Sequence, residues 1–240
     1  MDWQTPEDAV PSAFVTESNR RALSAEPPAS GAWRPGDDPG HRQFVDIGDV
    51  SLERGGPLPA ATIAYETWGE LNADASNAVL VLHALTGDSH LTGPAGPGHP
   101  TAGWWSGLVG DGKVLDPAEW FIVAPNMLGG CQGSTGPASL APDGREWGPR
   151  FPYLTIRDQV EAQRLFSDAI GVTRWAAVIG GSMGGMQALE WAVTHPSRVE
   201  RVAILCLQAV PYAIDRIVDH DSEPNLDLPI ARHAARLSWE

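Results

Sequence analysis

The segment Gly180-Gly181-Ser182-Met183-Gly184-Gly185 contains Gly-x-Ser-x-Gly. A serine in that pattern, on a tight turn between a buried strand and a helix, can act as a nucleophile. Glycines two before and two after it let strand and helix approach closely. The hydroxyl then stands at a helix N-terminus, where the dipole favours developing negative charge. Gly-x-Ser-x-Gly alone also occurs in glycine-rich turns and phosphate-binding loops. Here the apolar run before it and the helical pattern after it favour the nucleophile.

Such a serine needs donors for an oxyanion. One is expected from the backbone N–H of the next residue, Met183, and the second from a loop after an earlier strand. His83-Ala84-Leu85-Thr86-Gly87 follows an apolar run in the right place, and Leu85 N–H is the candidate. His83 itself reads as a structural histidine at a strand end. A third stretch, Asn126 to Pro137, is rich in glycine and carries Ser134 and Thr135 hydroxyls. Taken alone it reads as a flexible surface loop. Cys131 within it has no local basic partner and reads as structural or pocket-lining. The Trp104-Trp105 pair reads as packing. No His/Cys/Asp spacing suggests a metal site.

The elements that must position these residues follow from periodicity. Thr62–Trp68 alternates like a strand. Ala78–Leu82, Trp120–Ala124, Trp175–Ile179 and Arg201–Leu207 are short apolar runs of the kind buried in parallel sheets. Ile156 to Ile170 is predicted helical, with Thr155 as N-cap, Asp158 three residues on and Gly171 as the stop. Gly184 to His195 is a second helix ended by Pro196. Alternating strands and helices predict a mostly parallel α/β sheet. Residues 84–118 and 126–153 are long glycine- and proline-rich connections. Residues 1–40 read as a flexible N-terminal extension, 41–208 as the core, and 209–240 as an acidic, proline-broken segment with one amphipathic helix at Pro229–Trp239.

The chain has 240 residues and a net charge of −14, with 42% hydrophobic residues. That length suits one sizeable core. The acidity argues against nucleic-acid binding, which needs a basic face. No apolar run approaches the ~18 residues of a membrane span. The acidic N-terminus does not read as a secretory signal, and two cysteines make no disulfide framework, so a cytoplasmic location is expected.

Five runs together carry a more specific resemblance: His83-Ala-Leu-Thr-Gly, Gly103-Trp-Trp, Leu128-Gly-Gly-Cys to Thr135-Gly-Pro, Phe151-Pro with Thr155-Ile-Arg-Asp, and Ile179-Gly-Gly-Ser-Met-Gly-Gly-Met-Gln-Ala-Leu-Glu-Trp. In order and over about residues 44–204, the chain resembles the homoserine O-acetyltransferases, of α/β-hydrolase fold. The resemblance implies acetyl transfer from acetyl-CoA to the hydroxyl of L-homoserine through an acyl-serine, in methionine biosynthesis. Succinyl-donating and serine-accepting relatives share the motifs, and a serine esterase shares the elbow. Ser182 is implied as nucleophile, Leu85 and Met183 as oxyanion donors, and Arg157 as a polar pocket residue. Small molecules are the implied partners, with acetyl-CoA as co-substrate, no bound cofactor, and a homodimer for the full-length family.

The triad acid and histidine of that family come far downstream of the serine, whereas here only residues 183–240 follow it. Asp215, Asp219, His220, Asp221, Asp227 and His233 lie in this stretch, none in a family-like motif. The expectation is a C-terminally truncated member lacking the last strands and most of the cap, with 209–240 a cap remnant. An inactive remnant is then an alternative to an active enzyme.

Overall fold

The structure is a computed structural model and describes residues 32–205. Readings of residues 1–31 and 206–240, including the downstream acids and histidines and the Pro229–Trp239 helix, lie outside the described residues.

Among those residues a six-stranded sheet runs β1-β2-β4-β3-β5-β6. Its strands are β1 (Gln43–Ser51), β2 (Pro57–Trp68), β3 (Ala78–Leu82), β4 (Phe121–Pro125), β5 (Ala177–Gly181) and β6 (Val202–Leu205). β1 and β2 form an antiparallel hairpin, and β2 lies antiparallel to β4. β4, β3, β5 and β6 are mutually parallel. Two helices, α1 (Ile156–Ala169) and α2 (Met183–Thr194), connect the parallel strands.

Every residue of β3 is buried, which is why its sequence shows no alternation. Its side chains still divide by the period of two. Ala78, Leu80 and Leu82 join Val123, Val178, Phe166 and Trp191 on the helix-covered face. Val79 and Val81 face the opposite way, with Ile122 and Ala124, against Leu91, Val109 and Leu115. No helix among the described residues covers that second face. The 84–120 connection does so with its own apolar residues.

α1 starts where the sequence indicates. Thr155 Oγ1 accepts from Asp158 N at 3.1 Å, and Asp158 Oδ2 accepts from Thr155 N at 2.8 Å, a reciprocal capping box. The box also ties down the hairpin, because Asp158 Oδ1 accepts from Glu53 N and Thr155 Oγ1 donates to Glu53 Oε2. Gly171, at φ 79°, follows the last turn.

Three readings shift. β1 carries no clear sequence signal, since its exposed positions and the irregularity at Gly48 break the alternation. β2 starts at Pro57, five residues before Thr62, because its pairing with β1 extends the strand beyond the apolar run. Residues 33–40, read as part of the extension, contact the core. Trp33 packs on Phe44 with ring centroids 4.7 Å apart, and its N–H donates to Cys131 O. Arg34 pairs with Glu146, and Gly40 lies against His99. Contacts that distant in sequence leave no local pattern to read.

Candidate active site

Ser182 is exposed and sits between the last residue of β5 and the first of α2, at the carboxyl edge of the parallel strands. Its backbone has φ 54° and ψ −121°. That conformation is costly for a side chain other than glycine, about 1–3 kcal/mol. The neighbours enforce it. Ser182 N donates to Leu205 O at 3.0 Å, and Ser182 O accepts from Met186 N at 3.1 Å. A Cβ on Gly180 would strike the Gly184 carbonyl, and one on Gly184 would strike the Leu82 and His83 carbonyls. Glycine at both positions is what lets α2 start directly against β3 and β5.

β3 and β5 pair Leu82 with Gly180, so the loop after β3 emerges beside the elbow. Leu85 lies in that loop and is 74% exposed. Met183 N–H belongs to the unpaired first turn of α2. Among the described residues neither N–H has a protein acceptor. One of these N–H groups lies on the loop after β3 and the other in the first turn of α2, both at the carboxyl edge of the parallel strands.

His83 is buried and serves structure, as its sequence position indicates. Its Nε2 accepts from Met127 N at 3.2 Å, so Nδ1 carries the proton and donates to Ala84 O at 2.7 Å. Burial lowers its pKa below the ordinary histidine value. The unfolded chain therefore binds a proton that the folded chain refuses once pH falls below roughly 6.5. Stability is expected to be level above that pH and to fall below it. Denaturant midpoints at pH 7.5, 6.5 and 5.5 check this, and His83→Asn should flatten part of the slope. Burial of His99 and His195 acts in the same direction and leaves the remainder.

The stretch from Asn126 to Pro137 is not the flexible loop its glycines suggest. Asn126 N and Thr135 N donate to the Ala64 and Thr62 carbonyls of β2. The Ser134 and Thr135 hydroxyls are buried and accept from Ala64 N and Thr62 N. Gln159 of α1 brackets Leu128, accepting from its N–H at 3.1 Å and donating to its carbonyl at 2.8 Å. Gln187 of α2 donates to Met127 Sδ at 3.0 Å. The loop is thus fastened to β2, α1 and α2 at once.

Arg157 is held by two carboxylates, Glu53 and Glu190, each at 3.0 Å. It links the β1–β2 turn to α1 and α2. Cys131 is exposed and lines a cavity of about 480 Å³ with Trp33, Phe44 and Leu140. Ser182 does not line that cavity. Trp104 and Trp105 pack together, and Trp104 Nε1 donates to Asp88 O at 2.9 Å.

One cluster has no signature in the sequence. Glu66, His90 and His99 are all buried, with candidate ligand atoms within 4.8 Å of one another. A metal ion fits this arrangement poorly. The His90 and His99 rings stack with centroids 3.9 Å apart and planes 14° apart. Their lone pairs run side by side and do not converge, and His99 Nε2 already accepts from His41 N at 3.0 Å. The three residues come from β2 and two parts of the 84–120 connection, so only the fold brings them together.

No imidazole among the described residues hydrogen-bonds the Ser182 hydroxyl, and no described helix is long and apolar enough to cross a membrane. The parallel sheet, the strained serine and the flanking N–H groups define a class. The chain belongs to the alpha/beta hydrolase fold family, whose profile matches residues 77–227. Homoserine O-acetyltransferase of Leifsonia xyli subsp. xyli is 63% identical over 206 residues, covering 85% of this chain and 51% of that enzyme. The solved homoserine O-acetyltransferase of Bacillus anthracis superposes with a TM-score of 0.64 at 27% identity, over 82% of this chain and 59% of that one. Esterase E22 superposes with a TM-score of 0.63 at 32% identity, over 68% of this chain and 46% of its own. The chain spans about half the length of the curated relatives it matches.

Proposed function

We propose that this chain carries the nucleophile of a serine acyltransferase that moves acetyl from acetyl-CoA to the hydroxyl of L-homoserine. The observation that carries this reading is the exposed, strained Ser182 at the start of α2, next to the strand β3 whose following loop carries Leu85. The 63% identity to a homoserine O-acetyltransferase supports the choice of substrates.

Ser182 Oγ attacks the thioester carbonyl, and its proton passes to a general base. The oxyanion rests on Leu85 and Met183 N–H. Collapse breaks the C–S bond and releases CoA as the thiol, leaving acetyl on Ser182. The homoserine hydroxyl then attacks that ester, loses its proton, and leaves as O-acetylhomoserine with the serine restored. The product would serve methionine biosynthesis. Transfer in place of hydrolysis needs a water-poor pocket. The glycine-rich connections 84–118 and 126–153 are its proposed walls.

Ester hydrolysis is the second reading, favoured by the superposition on esterase E22. Thiol release from acetyl-CoA is the deciding measurement. Release that rises with added homoserine, with O-acetylhomoserine formed, supports transfer. Equal release without homoserine, or turnover of p-nitrophenyl acetate alone, supports hydrolysis. Succinyl-CoA in place of acetyl-CoA tests the donor.

A further inference from the structure

The loop from His83 to His90 is fastened at both ends and exposed at its tip. At its start His83 accepts from Met127 N. At its end Ser89 N donates to Asn126 Oδ1 at 2.7 Å, and Ser89 Oγ accepts from Asn126 Nδ2 at 3.2 Å. Because an ionised carboxylate only accepts, the Ser89 hydroxyl donates its proton to Glu66 Oε1 at 2.8 Å. His90 Nδ1 lies 3.2 Å from Glu66 Oε2 and donates to it. Both carboxylate oxygens therefore hold consecutive residues of one loop.

Glu66 is itself enclosed. It is 1% exposed and sits on β2 opposite Ala124 of β4. The His99 ring stacks on His90, and Trp104 Nε1 donates to the Asp88 carbonyl. Leu85 lies between the two fastenings, with its side chain in solvent.

We propose that Glu66 is a positioning residue for the oxyanion donor Leu85 N–H, acting through Ser89 and His90. The proposal rests on the acyl-serine reading of Ser182. A carboxylate at this depth is costly unless fully hydrogen-bonded. Here its bonds go to the loop that must be placed most accurately, since displacement by about 1 Å can cost on the order of 100-fold in rate. Glutamine at the same position keeps an acceptor for Ser89, and its NH₂ can donate to the other tautomer of His90.

The test uses the full chain with two readouts: hydrogen exchange of residues 84–91, and the rate of Ser182 acetylation by acetyl-CoA, followed by mass. For Glu66→Ala we expect exchange in 84–91 to quicken at least about 10-fold, while α1 and α2 stay protected. Acetylation should slow about 10–100-fold, with the acetyl-CoA concentration for half-maximal rate little changed. Glu66→Gln should recover most of both. Should Glu66→Ala fail to fold, Ser89→Ala decides, with the same expected direction. Unchanged exchange at 84–91, or exchange that rises equally in α1 and α2, overturns the proposal. So does a Glu66→Gln chain as impaired as Glu66→Ala. Absence of Ser182 acetylation in the unaltered chain would instead remove the acyl-transfer reading, and the exchange pattern would still decide whether Glu66 places the loop.

Discussion

Replacing Ser182 by alanine is expected to abolish acetylation of the chain by acetyl-CoA, with a loss of at least about 1,000-fold in rate. The serine is the one exposed hydroxyl on the elbow, and its oxygen is the atom that the Leu85 and Met183 N–H groups flank in sequence and topology. Intact-protein mass should show one acetyl on the unaltered chain and none on Ser182→Ala. Label that survives the substitution, or that maps to Cys131, would remove the elbow from the mechanism. Stability should move differently. Alanine inherits the φ 54° backbone, so Ser182→Ala should melt close to the unaltered chain. Ser182→Gly should relieve strain and melt several degrees higher, since about 1–3 kcal/mol is stored there. A nucleophile that stabilises when replaced by glycine is a mark of backbone strain kept for function.

Gly184→Ala is expected to cost about 3 kcal/mol or more, a large part of the 5–15 kcal/mol that holds a typical domain together. Its Cβ would lie closer than 3.0 Å to the carbonyls of Leu82 and His83. Those atoms are backbone at the end of a fully buried central strand, so they cannot turn aside as a side chain would. Either α2 lifts away from β3, which moves Ser182, or the strand end distorts, which moves the oxyanion loop. Thermal and denaturant unfolding should show the loss directly. Gly107→Ala is the control: nothing lies within 4 Å of its added Cβ, and its melting temperature should hardly change. Equal behaviour of the two variants would show that close packing at the elbow is not what the second glycine provides.

Much of the site was legible from local patterns. The elbow, both helix starts and the β3 exit are each set by a few neighbouring residues whose turn chemistry is written in sequence order. Thr155 with Asp158 announces its capping box, and Gly180 and Gly184 announce the close approach of helix and strand. Composition misled where tertiary hydrogen bonds overrode it. The glycines of 126–137 suggested mobility, yet Ser134, Thr135 and Gln159 fasten that loop to β2 and α1. Arg157, a pocket candidate by resemblance, is engaged by Glu53 and Glu190.

The sequence by itself determined the α/β alternation, the glycine-flanked turn that carries Ser182 and the positions of the two loops after β3 and β4, because each rests on periodicity or on contacts between near neighbours. Only the tertiary structure decided that Trp33 and Arg34 contact Phe44 and Glu146, that the 84–120 connection replaces a helix on the second face, and that Glu66, His90 and His99 share one buried site. Those facts depend on strand order and on side chains up to 112 residues apart meeting across the fold. A buried carboxylate is recognisable only once its donors are in place, since burial and hydrogen bonding are properties of the packed chain.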